Sequence, residues 1–400
     1  MSGRRRSMEE LSRKLEGLLA QASEAGQIAG GNVLILQDGK EAAYAQAGYA
    51  DKEAGIFYQR DAIVRLYSMT KPVTAAAAAL LVERGVLDLA ENVENYLPGF
   101  HNAVVAEEGG LVPAKRPVRI YDLLHMTSGL SYGGDETSPS SVEAQKLFDR
   151  MGEALGTEHE MGTIEVANRM GLCPLAFHPG EKWLYGTSAD VMGAVIEAAS
   201  GMRFGEFLQK EFFEPLGMKD TDFYVPKEKQ GRLVKVYEKT PEGLVCYCGN
   251  HLAIKNSGDT LPAFESGGAG LFSTLDDYAK FAEMLLGQGS YKGKQILSPQ
   301  TVRSLTGGKL MPWQQTVLES TWDGLSGYTY GNFMRVAAEP AWTLMRTSVG
   351  EYGWDGWLGA YFCNSPSDRL TMLLTIQLKD AGTTELTRRI KNVVWSSLCK

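Results

Sequence analysis

The sequence predicts an α+β fold. In it, one antiparallel sheet is drawn from both ends of the chain and flanked by the N- and C-terminal helices, with a mainly helical region inserted between. Three observations predict it. Segments of strand length, alternating or continuously apolar, occur over 31–49 and again over 328–377. Between them, apolar residues recur at helical spacing and glycines close the periodic runs. Both extremes of the chain carry a helical pattern. These boundaries define a discontinuous sheet domain over 1–87 and 262–400 and a helical domain over 88–261. The latter includes a charged amphipathic stretch, 142–170, that could form a lid.

Leu11, Leu15, Leu18 and Leu19 mark one face of a surface helix, not the apolar core of a signal peptide. Gly31 to Leu36 and Glu41 to Tyr49 are strands joined by an Asp38-Gly39 hairpin turn. A helix runs from Thr70 to Glu83 and ends before Gly85. Ile120 to Met126, Ser188 to Ala199 and Phe204 to Leu216 are helical, and 131–141 is a loop rich in Gly, Ser, Thr and Pro. A glycine-dense turn, Gly267 to Ser273, precedes a helix from Asp276 to Leu286. Tyr328 to Val336, Trp342 to Val349, Ala360 to Asn364 and Leu370 to Gln377 read as strands, and Leu386 to Leu398 as a terminal helix.

Composition bounds the function. The chain has 400 residues, 44% hydrophobic and 22% charged, which is ordinary for a globular protein. A net charge of -8 disfavours nucleic acid and anionic membranes as partners. The basic cluster Arg4-Arg5-Arg6 reads as a solvated tail. No run is long and apolar enough to span a bilayer. The five scattered cysteines predict reduced thiols in a cytoplasmic protein. The five histidines lack metal-ligand spacing, so neither a metal nor another cofactor is expected.

Chemistry first shows at Ser68-Met69-Thr70-Lys71. Residues three apart on a helix share a face, so Lys71 held neutral could take the Ser68 proton. Tyr185 lies between the His178-Pro179-Gly180 turn and the helix at Ser188. Its phenol, with a pKa lowered by a nearby ammonium, could serve as a base; a tyrosine packing a loop against a helix fits the same residues. Gly356 would let a substrate lie against an exposed backbone edge, and the N–H of Trp357 could hold an oxyanion. A glycine-rich hairpin with surface tryptophans fits equally. Strand alternation places Trp354 and Asp355 on opposite faces. His125 and His178 read as structural residues, Glu181, Asp190 and Asp276 as solvated or capping carboxylates, and Glu265-Ser266-Gly267-Gly268 as a structural turn.

Taken in order, Ser68-x-x-Lys71, Tyr185 after its His-Pro-Gly turn, and Trp354-Asp355-Gly356 resemble the serine β-lactamase/penicillin-recognising superfamily. That group includes class C β-lactamases, D-alanyl-D-alanine peptidases, family VIII carboxylesterases and lovastatin-type acyltransferases. Leu123 to Leu130, Pro215 to Met218 and Gly267 to Thr274 match as well. The resemblance implies that Ser68 is the acylated nucleophile and that Lys71 and Tyr185 share its proton. It further implies that the N–H groups of Ser68 and Trp357 form the oxyanion hole, at a site between sheet and helical region.

Two positions depart from the lactamase and peptidase pattern. Trp354 stands where a cation usually binds the substrate carboxylate, with Asp355 beside it, and Thr187 stands where an asparagine is common. With Gly356, these are the expected substrate-binding residues. The Trp-x-Gly form is that of family VIII carboxylesterases and suits an uncharged acyl group. The expectation is therefore a carboxylesterase acting on small esters with short-chain or aromatic acyl groups. The alternatives are a β-lactamase or D-alanyl-D-alanine peptidase taking β-lactams, an acyltransferase, and a non-catalytic binding protein.

Overall fold

The computed structural model describes residues 2–399, with the side chains of 2–7 outside the described residues. The side chains of Arg4-Arg5-Arg6 are thus among those not described. One sheet organises the molecule. Its strands are β1 (Gly30–Gln37), β2 (Lys40–Asp51), β3 (Ile56–Phe57), β4 (Tyr328–Gly331), β5 (Met334–Ala337), β6 (Tyr352–Asp355), β7 (Tyr361–Ser365) and β8 (Leu370–Ile376). They lie in the order β4-β5-β6-β7-β8-β1-β2-β3, and every neighbouring pair is antiparallel. β1 pairs with β8, Val33 opposite Leu374, so the two ends of the chain meet inside the sheet.

Period-two alternation assigns the two faces. Val33 and Ile35 point to one side with Met372 and Leu374. There they meet Leu15 and Leu19 of α1 (Ser2–Glu24) and Ile390 and Val394 of the C-terminal helix. Leu34, Phe362 and Leu373 point to the other side, into the larger core. That core holds α2 (Thr70–Glu83), α3 (Ile120–Leu124), α4 (Pro139–Ala154), α5 (Thr163–Gly171), α6 (Ser188–Ser200) and α7 (Leu275–Leu286). The C-terminal helix is α8 (Glu385–Leu398). Short alanine side chains at 75–78 are fully buried and let α2 pass through the middle of this core.

Three expectations are corrected. Tyr328 to Val336 is a hairpin and not one strand, because Asn332 and Phe333 both take left-handed φ (51° and 60°) and reverse the chain. Trp342 to Val349 forms no strand. It follows a tight turn at Pro340–Trp342 that the Thr343 hydroxyl pins by donating to the carbonyls of Pro340 and Met345, and Trp342, Leu344 and Val349 lie exposed. Residues 142–170 are not one helical unit: the chain breaks around Gly156 (φ 81°). α4 then borders the site, while α5 buries Val166, Ala167 and Met170 in the core. Two helices, Pro299–Thr306 and Pro312–Thr321, had no counterpart in the sequence reading.

Candidate active site

Ser68 sits in a single helical turn, Tyr67–Met69, immediately before α2. The preceding Tyr67 holds φ at 45°, a costly conformation for a tyrosine, and the strain is offset by burial of its ring against Trp357 at 4.9 Å. Lys71, one turn on and fully buried, donates to three acceptors: Ser68 Oγ at 3.1 Å, Tyr132 Oη at 3.2 Å and the Gly268 carbonyl at 2.9 Å. Burial disfavours its ammonium and pulls its pKa from the ordinary 10.5 to about 8, while Asp190 and Asp355 oppose that shift. A neutral amine is thus accessible near physiological pH, as the Ser-x-x-Lys chemistry needs.

Tyr185 meets the same pair from the opposite wall. Its ring lies 4.7 Å from Lys71 Nζ, and Ser68 hydrogen-bonds its phenol. Burial pushes the phenol well above its ordinary value, so the lowering expected from a neighbouring ammonium does not prevail. Burial thus favours a neutral phenol at Tyr185 and a deprotonated amine at Lys71. The Trp354 indole donates to Tyr185 Oη at 3.0 Å. Trp354 is 1% exposed and is wedged between Tyr185, Tyr330 and Trp322.

Gly356 follows the end of β6 because nothing larger fits. A Cβ there would stand 2.3 Å from the Leu66 carbonyl, two residues ahead of Ser68. This close approach brings Ser68 and Trp357 to one cavity of about 580 Å³. Tyr67, Tyr132, Phe148, Tyr185, Trp322 and Trp354 supply aromatic walls. The Trp357 indole stacks on His251 at 4.0 Å and donates to Asp380 at 2.6 Å. Trp354 and Asp355 both line the cavity despite their alternation, since the strand ends there. Asp355 accepts from Thr383 at 3.0 Å and lies 3.8 Å from the buried Arg335 guanidinium. Burial raises its carboxyl, against the pull of Arg335.

Thr187 is not brought to the cavity. It is 2% exposed at the start of α6, facing a small void beside Leu130, Ala144 and Leu147. Asp190 differs from expectation too: it is 3% exposed and lies behind Lys71, bonded to Ser266 Oγ and the Gly268 N–H. Glu181 pairs with Lys115 and Asp276 with Arg60, both at the surface. His125 bonds the Tyr121 carbonyl and His178 bonds Glu107, with burial drawing His125 down to about 4. Tyr132 and the Gly268 carbonyl were missed as Lys71 partners. An aromatic inside the glycine-serine loop after Leu130 was the available signal for Tyr132.

The chain is similar to several known proteins. An uncharacterized protein of Mycobacterium tuberculosis is 30% identical over 367 residues, 90% of this chain and 88% of its own. Esterase EstB of Burkholderia gladioli is 31% identical over 288 residues, 69% of this chain and 70% of its own. Among solved structures, EstCE1, described as a hydrolase with promiscuous acyltransferase activity, superposes with a TM-score of 0.82 at 23% identity. That match covers 97% of this chain and 99% of EstCE1. The Beta-lactamase family model matches residues 15–393, so the chain belongs to the beta-lactamase family, among relatives that include esterases.

Proposed function

We propose that this protein is a serine carboxylesterase that works through an acyl-enzyme on Ser68. The observation that carries the reading is the buried Lys71, pulled to about 8 and bonded to Ser68 Oγ at 3.1 Å. As Oγ bonds to the ester carbonyl carbon, its proton passes to the Lys71 amine. The backbone N–H groups of Ser68 and Trp357 hold the resulting oxyanion. Tyr185 donates its proton to the departing alkoxide and is reprotonated through Lys71. Water then attacks the acyl-enzyme by the same route in reverse and frees the acid.

Substrate charge follows from the cavity lining. Among the described residues that line it, the charged ones are Asp355 and Asp380, and Lys71, bonded to Ser68, is already committed to three acceptors. Such a surface disfavours a substrate carboxylate and suits a neutral ester whose acyl group packs on indole and phenol rings. The test compares p-nitrophenyl butyrate with nitrocefin, on the wild type and on Ser68→Ala. Butyrate hydrolysis should exceed nitrocefin hydrolysis and vanish in the variant. Equal butyrate rates for wild type and variant would end the reading, and faster nitrocefin turnover would transfer it to the lactamase alternative.

A further inference from the structure

A neutral lysine has two N–H bonds and one lone pair. For Lys71 to accept the Ser68 proton, that lone pair must face Ser68 Oγ, so both N–H bonds must be spent elsewhere. Two acceptors are in place, Gly268 O at 2.9 Å and Tyr132 Oη at 3.2 Å. The carbonyl can only accept. The phenol is ambiguous: turned the other way, its own O–H would donate to Lys71 and occupy the lone pair.

Asp190 stands where it removes that ambiguity. It lies in the first turn of α6, where the helix N-terminus favours a carboxylate. Its Oδ1 accepts from Ser266 Oγ at 2.5 Å and from the Gly268 N–H at 3.1 Å. The Tyr132 hydroxyl faces the same carboxylate; burial is the main cause that holds the phenol protonated, and the charge and hydrogen bonding of Asp190 add to it. Close approach is built in: a Cβ on Gly268 would stand 2.6 Å from Asp190 Oδ2, and one on Gly267 would stand 2.3 Å from the Ala189 carbonyl. From the other side, Thr74 of α2 donates to the Gly267 carbonyl at 2.7 Å. The glycine pair is thus held between α2 and α6, with Asp190 behind it and Lys71 in front.

We propose that Asp190 is the positioning residue of the Ser68–Lys71 pair: it draws the Tyr132 proton and fixes Gly268, so that both acceptors face Lys71 and its lone pair faces Ser68. The proposal rests on the proposed function and deepens it, because the proton transfer it directs is the step that forms the acyl-enzyme. A carboxylate suits this post since it accepts on both oxygens and donates from neither. An asparagine would present an N–H to at least one of the three groups that now donate to it.

The experiment follows the rate at which a fluorophosphonate labels Ser68, read by intact mass. In that reaction Oγ bonds to phosphorus, fluoride leaves and the Ser68 proton passes to Lys71, whatever the natural ester. Asp190→Asn is expected to slow labelling ~10- to 100-fold, and Tyr132→Phe about tenfold by removing one acceptor. In the Tyr132→Phe background no hydroxyl competes for the lone pair, so adding Asp190→Asn should cost less than about threefold more. Ser266→Ala removes another donor to Asp190 without touching Tyr132 and should stay within about threefold of wild type. Asp190→Asn labelling at the wild-type rate, or slowing equally in both backgrounds, overturns the proposal. Should Asp190→Asn fail to fold, equal slowing by Tyr132→Phe and Ser266→Ala overturns it, and the expected difference between them supports it. A wild type that is not labelled at Ser68 instead overturns the proposed function itself.

Discussion

Replacing Trp354 by phenylalanine keeps an aromatic wall but deletes the indole N–H that reaches Tyr185 Oη at 3.0 Å. The contact is buried: Trp354 is 1% exposed, and its neighbours are Tyr185, Trp322 and Tyr330. Removing one of the two hydrogen-bond partners of this buried oxygen, the other being Ser68, costs about 1–3 kcal/mol. The indole also helps to lower the Tyr185 pKa against the larger effect of burial, so its loss makes the phenol a weaker acid. A weaker acid matters only where the leaving group needs a proton. Ethoxide does; p-nitrophenolate departs as a stable anion. At 1.36 kcal/mol per tenfold, kcat/KM for ethyl butyrate should fall roughly 10- to 100-fold. For p-nitrophenyl butyrate it should change less than about threefold. Steady-state kinetics with both esters decides, with thermal melting to show that the fold is kept. Equal losses on both esters would refute the assignment of Tyr185 as the acid and leave Trp354 with a packing role.

Further outcomes follow from the buried charges. With Lys71 at about 8 and its neutral form required, kcat/KM for p-nitrophenyl butyrate should rise with pH along a limb of unit slope. At pH 6 it should stand at about 1% of its plateau, and a limb centred below pH 6 would show that Lys71 is not the base. Lys391 and Glu351 form an ion pair at 2.6 Å with neither side chain exposed. Glu351→Gln strands the ammonium and should cost about 3–5 kcal/mol in urea unfolding. A loss below about 1 kcal/mol would show that the surrounding Tyr328 and Trp395 rings carry the charge unaided.

Local signals in the sequence led to local structure. The stop at Gly85 and the alanine run fixed α2 at Thr70–Glu83 as read, and Asp38-Gly39 forms the hairpin turn expected of it, both residues with φ above 50°. The Ser68–Lys71 contact was legible because one helical turn determines it. What failed depended on partners distant in sequence. The apolar stretch at 342–349 met no strand edge, and Asp190 looked like a helix-capping carboxylate until Gly268 and Tyr132 closed over it. The Tyr185 pKa was read with the wrong sign, because a neighbouring charge is visible in a motif whereas desolvation is a property of the folded interior. Two helices were overlooked although Ser298-Pro299 carries a capping serine with proline at the first helical position.

The pairing of β1 with β8 has a consequence for when activity can arise. Gly31 lies opposite Ile376, so the central seam of the sheet closes a loop of almost the whole chain. Contacts of such sequence separation form late and slowly, since the closure entropy is met before any pairing rewards it. Ser68 and Lys71 are synthesised early and need only one helical turn to meet. The strand carrying Trp354, with Gly356 just after it, is made some three hundred residues later, and it docks through β7 and β8 onto that seam. On the proposed mechanism, a growing chain therefore carries Ser68 long before it carries the N–H of Trp357, so a nascent fragment lacks half of the proposed oxyanion hole. On that mechanism, closure of the β1–β8 seam would be the step that assembles the site.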